Sequence, residues 1–192
     1  GPQTGALVAS HGGERVYGVT SEGAIWRLAP GTGRLEPEVC RLPGVSGKMG
    51  FTCAWCEATG SIYLADAASG TIFSYCDTRE KPVELGRTPL TPVKCLTATC
   101  DGRLFGFCGD QIEHLFSYEP ASGRIDDLGI ALSVLGCRRY GYQFKAAAPG
   151  PDGEIYFGES DRGGHLWVYF PSLKRVVDPG TSQEACSPAA SE

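Results

Sequence analysis

Four times along its 192 residues the chain repeats one phrase: a tight turn, an aliphatic residue followed by an aromatic one, a loop, and then a second aromatic. The last copy, DGEIYFGESDRGGHLWVYFP at 152–171, shadows DGRLFGFCGDQIEHLFSYEP at 101–120. The first aromatic is Tyr17, Tyr63, Phe105 and Tyr156, at spacings of 46, 42 and 51 residues. The second is Trp26, Phe73, Phe116 and Trp167, trailing its partner by 9, 10, 11 and 11 residues. A variable period around a near-constant internal spacing is what a chain shows when each copy is one structural unit that cannot bury its apolar surface alone and stacks on its neighbours.

Each copy divides into four short runs of strand character. In the last they are FKAAA (144–148), EIYFGE (154–159), HLWVYF (165–170) and KRVVD (174–178), with GPDG and PSL as turns. Glycine supplies the positive φ, aspartate bonds its own turn, and proline ends a strand by withholding a donor. Helical periodicity is absent. Four antiparallel strands every 40 to 50 residues or so predict an all-β chain: a β-propeller built of four four-stranded antiparallel blades, the first strand of each innermost. The wording resembles the broad propeller superfamily over nearly the whole chain, nearest to kelch-like, lactonase-like and propeller polysaccharide-lyase repeats. It lacks the WD dipeptide and the double-glycine kelch phrase, so the resemblance implies a fold and no particular family.

Residues 1–4 read as a lead, with Gly1-Pro2 a protease-cleavage scar. Residues 5–180 form the propeller, with blades at 5–48, 49–94, 95–143 and 144–180, and 181–192 read as a flexible tail. Three closures fit this division: a small four-bladed ring, half of an eight-bladed ring completed by a second copy, or a piece of a longer propeller. An open ring leaves apolar faces on its first and last blades, so self-association is expected. The eight recurring aromatics read as packing between blades, each ring burying about 150 to 250 Å2.

The formal net charge of −5, from 17 basic and 22 acidic residues, comes with no basic block, which argues against nucleic acid as a partner. No apolar run reaches the roughly 20 residues needed to cross a bilayer. The nine cysteines, an odd number, do not recur with the repeat as a disulfide framework would, and they point to reduced thiols and a cytoplasmic protein. Cys53 and Cys56 form the one CxxC, with Cys95 and Cys100 at the same phase of the next copy. On a strand, however, positions i and i+3 point to opposite faces, so buried thiols and no metal are expected. No phosphate loop, nucleophile elbow or EF-hand is present, and no cofactor is implied.

Propeller geometry places the turns of strand pairs one-two and three-four on one face, and the two-three loops and interblade connections on the other. The first set is short and alike, whereas the second holds the unrepeated residues. The connection at 129–144 carries Arg138, Arg139, Tyr140 and Tyr142. The loop at 158–165 adds Glu159, Asp161, Arg162 and His165, and its counterpart at 108–114 adds Asp110, Glu113 and His114. From these, Arg138, Arg139, Tyr140, Tyr142, Glu159, Asp161, Arg162, His165 and His114 form the candidate ligand-binding set. A guanidinium fork binds carboxylates bidentately, which fits a saccharide or an acidic small molecule. The same arginines could pair with Glu159 or Asp161 to pin the loop, and the two histidines, in matching places, could be polar strand ends.

Three functional readings follow, and whether the chain is an enzyme stays open among them. The first is a binding or interaction module recognising a carbohydrate or acidic ligand on the loop face. The second, by analogy with propeller lyases, is a lyase or hydrolase of uronate-containing saccharides, in which arginine neutralises the uronate carboxylate while histidine or tyrosine moves the proton. The third is a structural, self-assembling propeller fragment.

Overall fold

The computed structural model describes residues 4–79, 81–110, 112–130, 144–160, 164–172 and 175–177. Among them sixteen strands form and no α-helix, the one helical element being a three-residue 3-10 turn at His11–Gly13. The strands of each repeat pair only with one another, antiparallel and in sequence order. The first sheet holds β1 (Thr4–Ala9), β2 (Val16–Thr20), β3 (Ala24–Ala29) and β4 (Arg34–Arg41), and the second β5 (Phe51–Cys56), β6 (Ser61–Asp66), β7 (Thr71–Tyr75) and β8 (Val83–Arg87). The third holds β9 (Val93–Ala98), β10 (Leu104–Cys108), β11 (His114–Glu119) and β12 (Arg124–Ile130), and the fourth β13 (Phe144–Pro149), β14 (Ile155–Glu159), β15 (Leu166–Phe170) and β16 (Arg175–Val177).

Successive sheets pack face to face, and their first strands β1, β5, β9 and β13 lie against one another in order, which makes them the inner strands of propeller blades. Because side chains alternate across a strand, each blade has a forward and a backward face. Tyr17, Val19 and Ile25 point forward into one core with Ile62, Leu64, Phe73 and Tyr75 of the second blade. Tyr63, Ala65 and Ile72 meet Leu104, Phe116 and Tyr118 of the third. Phe105, Phe107 and Leu115 meet Phe144, Ile155, Phe157 and Trp167 of the fourth. No core joins the fourth sheet to the first, so the ring is open among the described residues.

Blades with a neighbour on each side are sealed through the middle: every position of β6, β7 and β10 is buried. The outer strands, by contrast, alternate exposed charged residues, which discourages edge-to-edge pairing. In three blades the register between the third and fourth strands slips at one equivalent place, at Ile25/Arg27, Ile72/Phe73 and Leu115/Phe116. A bulge recurring there twists the outer strand and shapes these three blades alike.

Seven of the eight recurring aromatics are buried, as the repeat predicts, and Tyr156 is only half-buried. The reason is positional. Tyr17 stacks on Trp55 of the next blade at 6.1 Å, Tyr63 meets Tyr118 edge-on at 6.2 Å, and Phe105 meets Tyr169 at 5.7 Å. Tyr156 belongs to the last blade, where no next blade stands among the described residues.

Packing within the third blade also needs a missing side chain. A Cβ at Gly106 on β10 would run into the backbone carbonyl of Cys95 and the ring of Phe116. We expect Gly106→Ala to destabilise by about 1 to 3 kcal/mol through overpacking, and Phe116→Ala by about 3 to 5 kcal/mol through the cavity it leaves. Denaturant titration reads both, and an unchanged midpoint for Phe116→Ala would contradict this account of the core.

Candidate functional site

The face predicted to gather the two-three loops and the interblade connections is held together by backbone hydrogen bonds between the two kinds of segment. Leu42 N–H donates to Gly23 O at 2.8 Å, Ala67 to Gly50 at 3.0 Å, Thr88 to Gly70 at 2.9 Å and Gly109 to Pro92 at 2.9 Å. Acidic side chains add to this. Asp66, wholly buried at the end of β6, accepts from Ser46 N–H at 2.9 Å, Ala68 N–H at 3.3 Å and the Ser69 hydroxyl at 2.8 Å.

Between the third and fourth blades the same device becomes a buried acidic cluster around Phe144. Glu113 Oε2 accepts Phe144 N–H at 2.8 Å, and Lys94 Nζ stands 3.9 Å from Oε1. Burial pushes the Glu113 carboxyl above its usual range, and the Phe144 N–H and Lys94 only partly pull it back. Its Oε1 is buried with no hydrogen bond among the described residues. Across the β13–β14 pair, Phe144 faces Glu159. Glu159 Oε2 receives Trp167 Nε1–H at 3.2 Å and lies 3.3 Å from His165 Nδ1, with both charged-group partners buried. The Glu159 N–H donates to the His165 carbonyl at 2.9 Å, closing the base of the 160–164 loop.

Of the sequence-derived set, Glu159 and His165 therefore meet, with Trp167 on the same carboxylate. His114 starts β11 and turns across the sheet, its Nδ1 2.9 Å from both carboxylate oxygens of Asp127 on β12. Burial opposes it, yet His114 and the Gly129 N–H hold Asp127 below the usual carboxylate range. Arg138, Arg139, Tyr140, Tyr142, Asp161 and Arg162 lie outside the described residues. Glu113 is the residue whose grip on Phe144 sequence reasoning did not find. Its one signal is an acidic residue directly before a strand that opens with histidine.

Three further concavities arise only in three dimensions. A cleft of 370 Å3 opens where all four inner strands run out toward the one-two turns, lined by Ala9, Trp55, Thr97, Ala98, Ala147 and Pro149 among others. Grooves of 210 and 160 Å3 flank the outer junction of blades three and four, both touching Arg103 and Pro171. Arg103 lies over the Phe105 ring at 5.6 Å and pairs with Asp101 at 2.8 Å. A separate ionic clamp ties blade one to blade two: Arg27 reaches Glu36 and Asp77 at 2.7 Å each, and the Tyr17 hydroxyl donates to Asp77 at 2.9 Å.

The cysteines of the described residues are free thiols. Cys53 packs toward blade one and Cys56 toward blade three, so the two sulfurs of CAWC sit in different cores. Burial pushes the thiols of Cys53 and Cys95 up to about 12 and those of Cys40 and Cys108 up to about 11, far from the reactive thiolate. Among the described residues no helix is long and apolar enough to cross a membrane.

Four radially packed, four-stranded antiparallel sheets with their first strands innermost define a run of β-propeller blades. Solved structures agree. The chain superposes on hydrazine synthase of Kuenenia stuttgartiensis with a TM-score of 0.68, at 13% identity over 92% of this chain and 48% of that one. Virginiamycin B lyase from Staphylococcus aureus gives 0.66, at 18% identity over 90% and 53%. An auxiliary nutrient binding protein from Bacteroides thetaiotaomicron gives 0.63, at 12% identity over 92% and 48%. At these identities the likeness is one of fold, and the chain spans about half the length of these three structures. No family model matches the chain, and comparison with curated proteins gives no match either.

The raised Glu113 carboxyl carries a testable sign. Its folded form binds a proton more tightly than its unfolded form, so the stability it contributes is complete below the ordinary glutamate range and is lost as pH rises through the raised value. Glu113→Gln keeps an acceptor for Phe144 and removes this loss. Thermal melts from about pH 4 to about pH 7 should show the variant gaining on the parent as pH rises. A constant difference across that range would show that Glu113 is not buried as described.

Proposed function

We propose that this chain is a propeller ligand-binding module whose loop face between blades three and four takes an acidic saccharide. The observation that carries the reading is the facing of Phe144 and Glu159 in the β13–β14 register. The stretch holding Arg138, Arg139, Tyr140 and Tyr142 ends at Phe144, and the one holding Asp161 and Arg162 follows Glu159 and Ser160. Two segments separated in sequence thus start from one point of a rigid frame, the arrangement in which loops carry sites. Glu113 grips the Phe144 N–H that follows the first, and the Glu159–His165 contact joins the residues that flank the second.

In this reading the arginines hold the carboxylate of the ligand in bidentate fashion, and Tyr140 and Tyr142 supply ring faces and hydroxyls to the sugar. Buried Glu159 and His165 brace the loop from below. His114, held by Asp127, frames the neighbouring loop. The free, unreactive thiols support a reducing, cytoplasmic setting.

Titration calorimetry with a uronate-containing oligosaccharide and its neutral counterpart tests the proposal. Binding should favour the uronate, and Arg139→Ala should weaken it by about 1.5 to 3 kcal/mol, as expected for a hydrogen bond to a charged partner. Arg34→Ala, on the three-four turn side, should leave it unchanged. Equal losses from both variants would reduce the effect to general electrostatics, and no binding of either sugar would overturn the reading. Appearance of an unsaturated uronate product in the same mixtures would move the assignment to a lyase, with the His165–Glu159 pair as the place to look for its proton-transfer group.

A further inference from the structure

The place that the ionic clamp fills between blades one and two is an open groove between blades three and four. In the clamp, Arg15, Arg27 and the Tyr17 hydroxyl of blade one converge on Asp77 of blade two, and Arg27 also holds Glu36. Strand register carries each position across. Tyr17 pairs with Arg27 and Arg27 with Glu36, as Phe105 pairs with Ser117 and Ser117 with Asp126. Arg15 stands two residues before Tyr17, and Arg103 two before Phe105. Asp77 and Pro171 each stand two residues after a tyrosine, Tyr75 or Tyr169, that packs on the preceding blade. The set Arg15, Tyr17, Arg27, Glu36 and Asp77 thus becomes Arg103, Phe105, Ser117, Asp126 and Pro171.

All five of the latter line the groove of 210 Å3. Two shorter side chains account for the space: Ser117 stands where blade one has the Arg27 guanidinium, and Pro171 where blade two has the Asp77 carboxylate. Between blades two and three the same place is closed, with Ser61 and Ser74 buried and the Tyr63 hydroxyl donating to the Gly102 carbonyl at 3.3 Å. The polar groups left in the groove are oriented. Arg103 gives Nε and Nη2 to Asp101 at 2.9 and 2.8 Å, and Arg124 gives the same two nitrogens to Asp126 Oδ2 at 2.9 and 2.8 Å. Each fork is thereby fixed and keeps Nη1 without a partner among the described residues, as do Asp126 Oδ1 and the hydroxyls of Ser117 and Tyr169. The charges of the lining balance, Arg103 and Arg124 against Glu119 and Asp126, and the rest of the wall includes Pro171 and Leu128, the latter 41% exposed.

We infer that this groove binds a free apolar α-amino acid. Such a molecule supplies the two groups that the clamp has and the groove lacks: a carboxylate for Arg103 and a cation for Asp126. It holds them on neighbouring atoms, much as Arg27 and Asp77 touch at 2.7 Å, and its side chain lies against Leu128 and Pro171. It also adds no net charge to a balanced lining. An anion alone meets Glu119 and Asp126, and a cation alone meets Arg103 and Arg124, each a repulsion that the zwitterion offsets. The site is separate from the loop face, because the adjoining groove of 160 Å3 is lined by Asp152, Gly153 and Glu154 of the one-two turn and Ser172 of the three-four turn.

Titration calorimetry of the purified chain with L-leucine and L-phenylalanine, each beside its N-acetyl and amide forms, tests the inference. A free amino acid should bind, and loss of either of its charges should weaken binding by about tenfold or more. Arg103→Gln and Asp126→Asn should each cost about as much. Both side chains are partly exposed, so the blades should stay folded, which far-ultraviolet circular dichroism and a cooperative melt will show. The decisive variant rebuilds the clamp: Ser117→Arg together with Pro171→Asp puts a guanidinium and a carboxylate of the chain itself into the groove, and should abolish binding in a protein that still melts cooperatively. Arg34→Ala, which removes the arginine of blade one that matches Arg124, should leave binding unchanged.

Absence of binding by both free amino acids overturns the inference. So does binding of an N-acetyl or amide form as tight as that of the free amino acid, which marks a site for one end of a peptide. A rebuilt clamp that folds and still binds, or an Arg34→Ala loss equal to that of Arg103→Gln, places the ligand elsewhere or reduces the effect to general electrostatics, and overturns it equally.

Discussion

A four-stranded sheet with apolar side chains on both faces has no stable state alone, and the burial of one blade's forward face by the next blade's backward face is the interaction on which the rest of this molecule depends. The second blade shows what the full arrangement achieves, with two adjacent strands buried at every position. The last blade shows what its absence does: the same sequence phrase leaves Tyr156 half-buried and Leu166 exposed. Since burial of each large side chain contributes about 1.5 to 3 kcal/mol, the three internal junctions outweigh any single turn or ion pair.

The loop face is a consequence of that packing. Once adjacent blades are locked, each connection must cross from an outer strand to the next inner strand over the ends of buried strands, where backbone donors lack water. Buried carboxylates satisfy them. Asp66 does so completely, with three donors on one side chain. Glu113 does so less completely, keeping one oxygen without a hydrogen bond among the described residues and a carboxyl pushed upward by burial. A scaffold position would be expected to resemble Asp66. A half-satisfied buried carboxylate is the kind of local conflict that collects at functional sites.

The opposite face is held differently. There Asp77 takes Arg15, Arg27 and the Tyr17 hydroxyl together, a clamp between blades one and two with no repeat elsewhere among the described residues. Its partners are partly solvated, so it adds orientation to the junction more than stability. The two faces thus divide their tasks, one carrying short uniform turns and an ionic clamp, the other carrying long unrepeated segments on a frame of buried acids.

Much of this was legible in the sequence, because strand alternation and turn chemistry are local. The period of two assigned faces to residues before any neighbour was known, so the four sheets, the innermost first strands, the opposite orientations of Cys53 and Cys56 and the burial of seven recurring aromatics could all be read from spacing. The shared face of loops and connections followed from topology. What required the tertiary structure was every property that depends on which neighbour is present. The phrase is the same in all four copies, so nothing in it distinguishes Tyr156 from Tyr17; only the presence of a next blade among the described residues does. Glu113 and Phe144 are 31 residues apart, and their bond exists because two blades meet there. The clefts bounded by inner strands of separate blades have no sequence signature at all, since their walls are assembled from residues that become neighbours only when the blades stack.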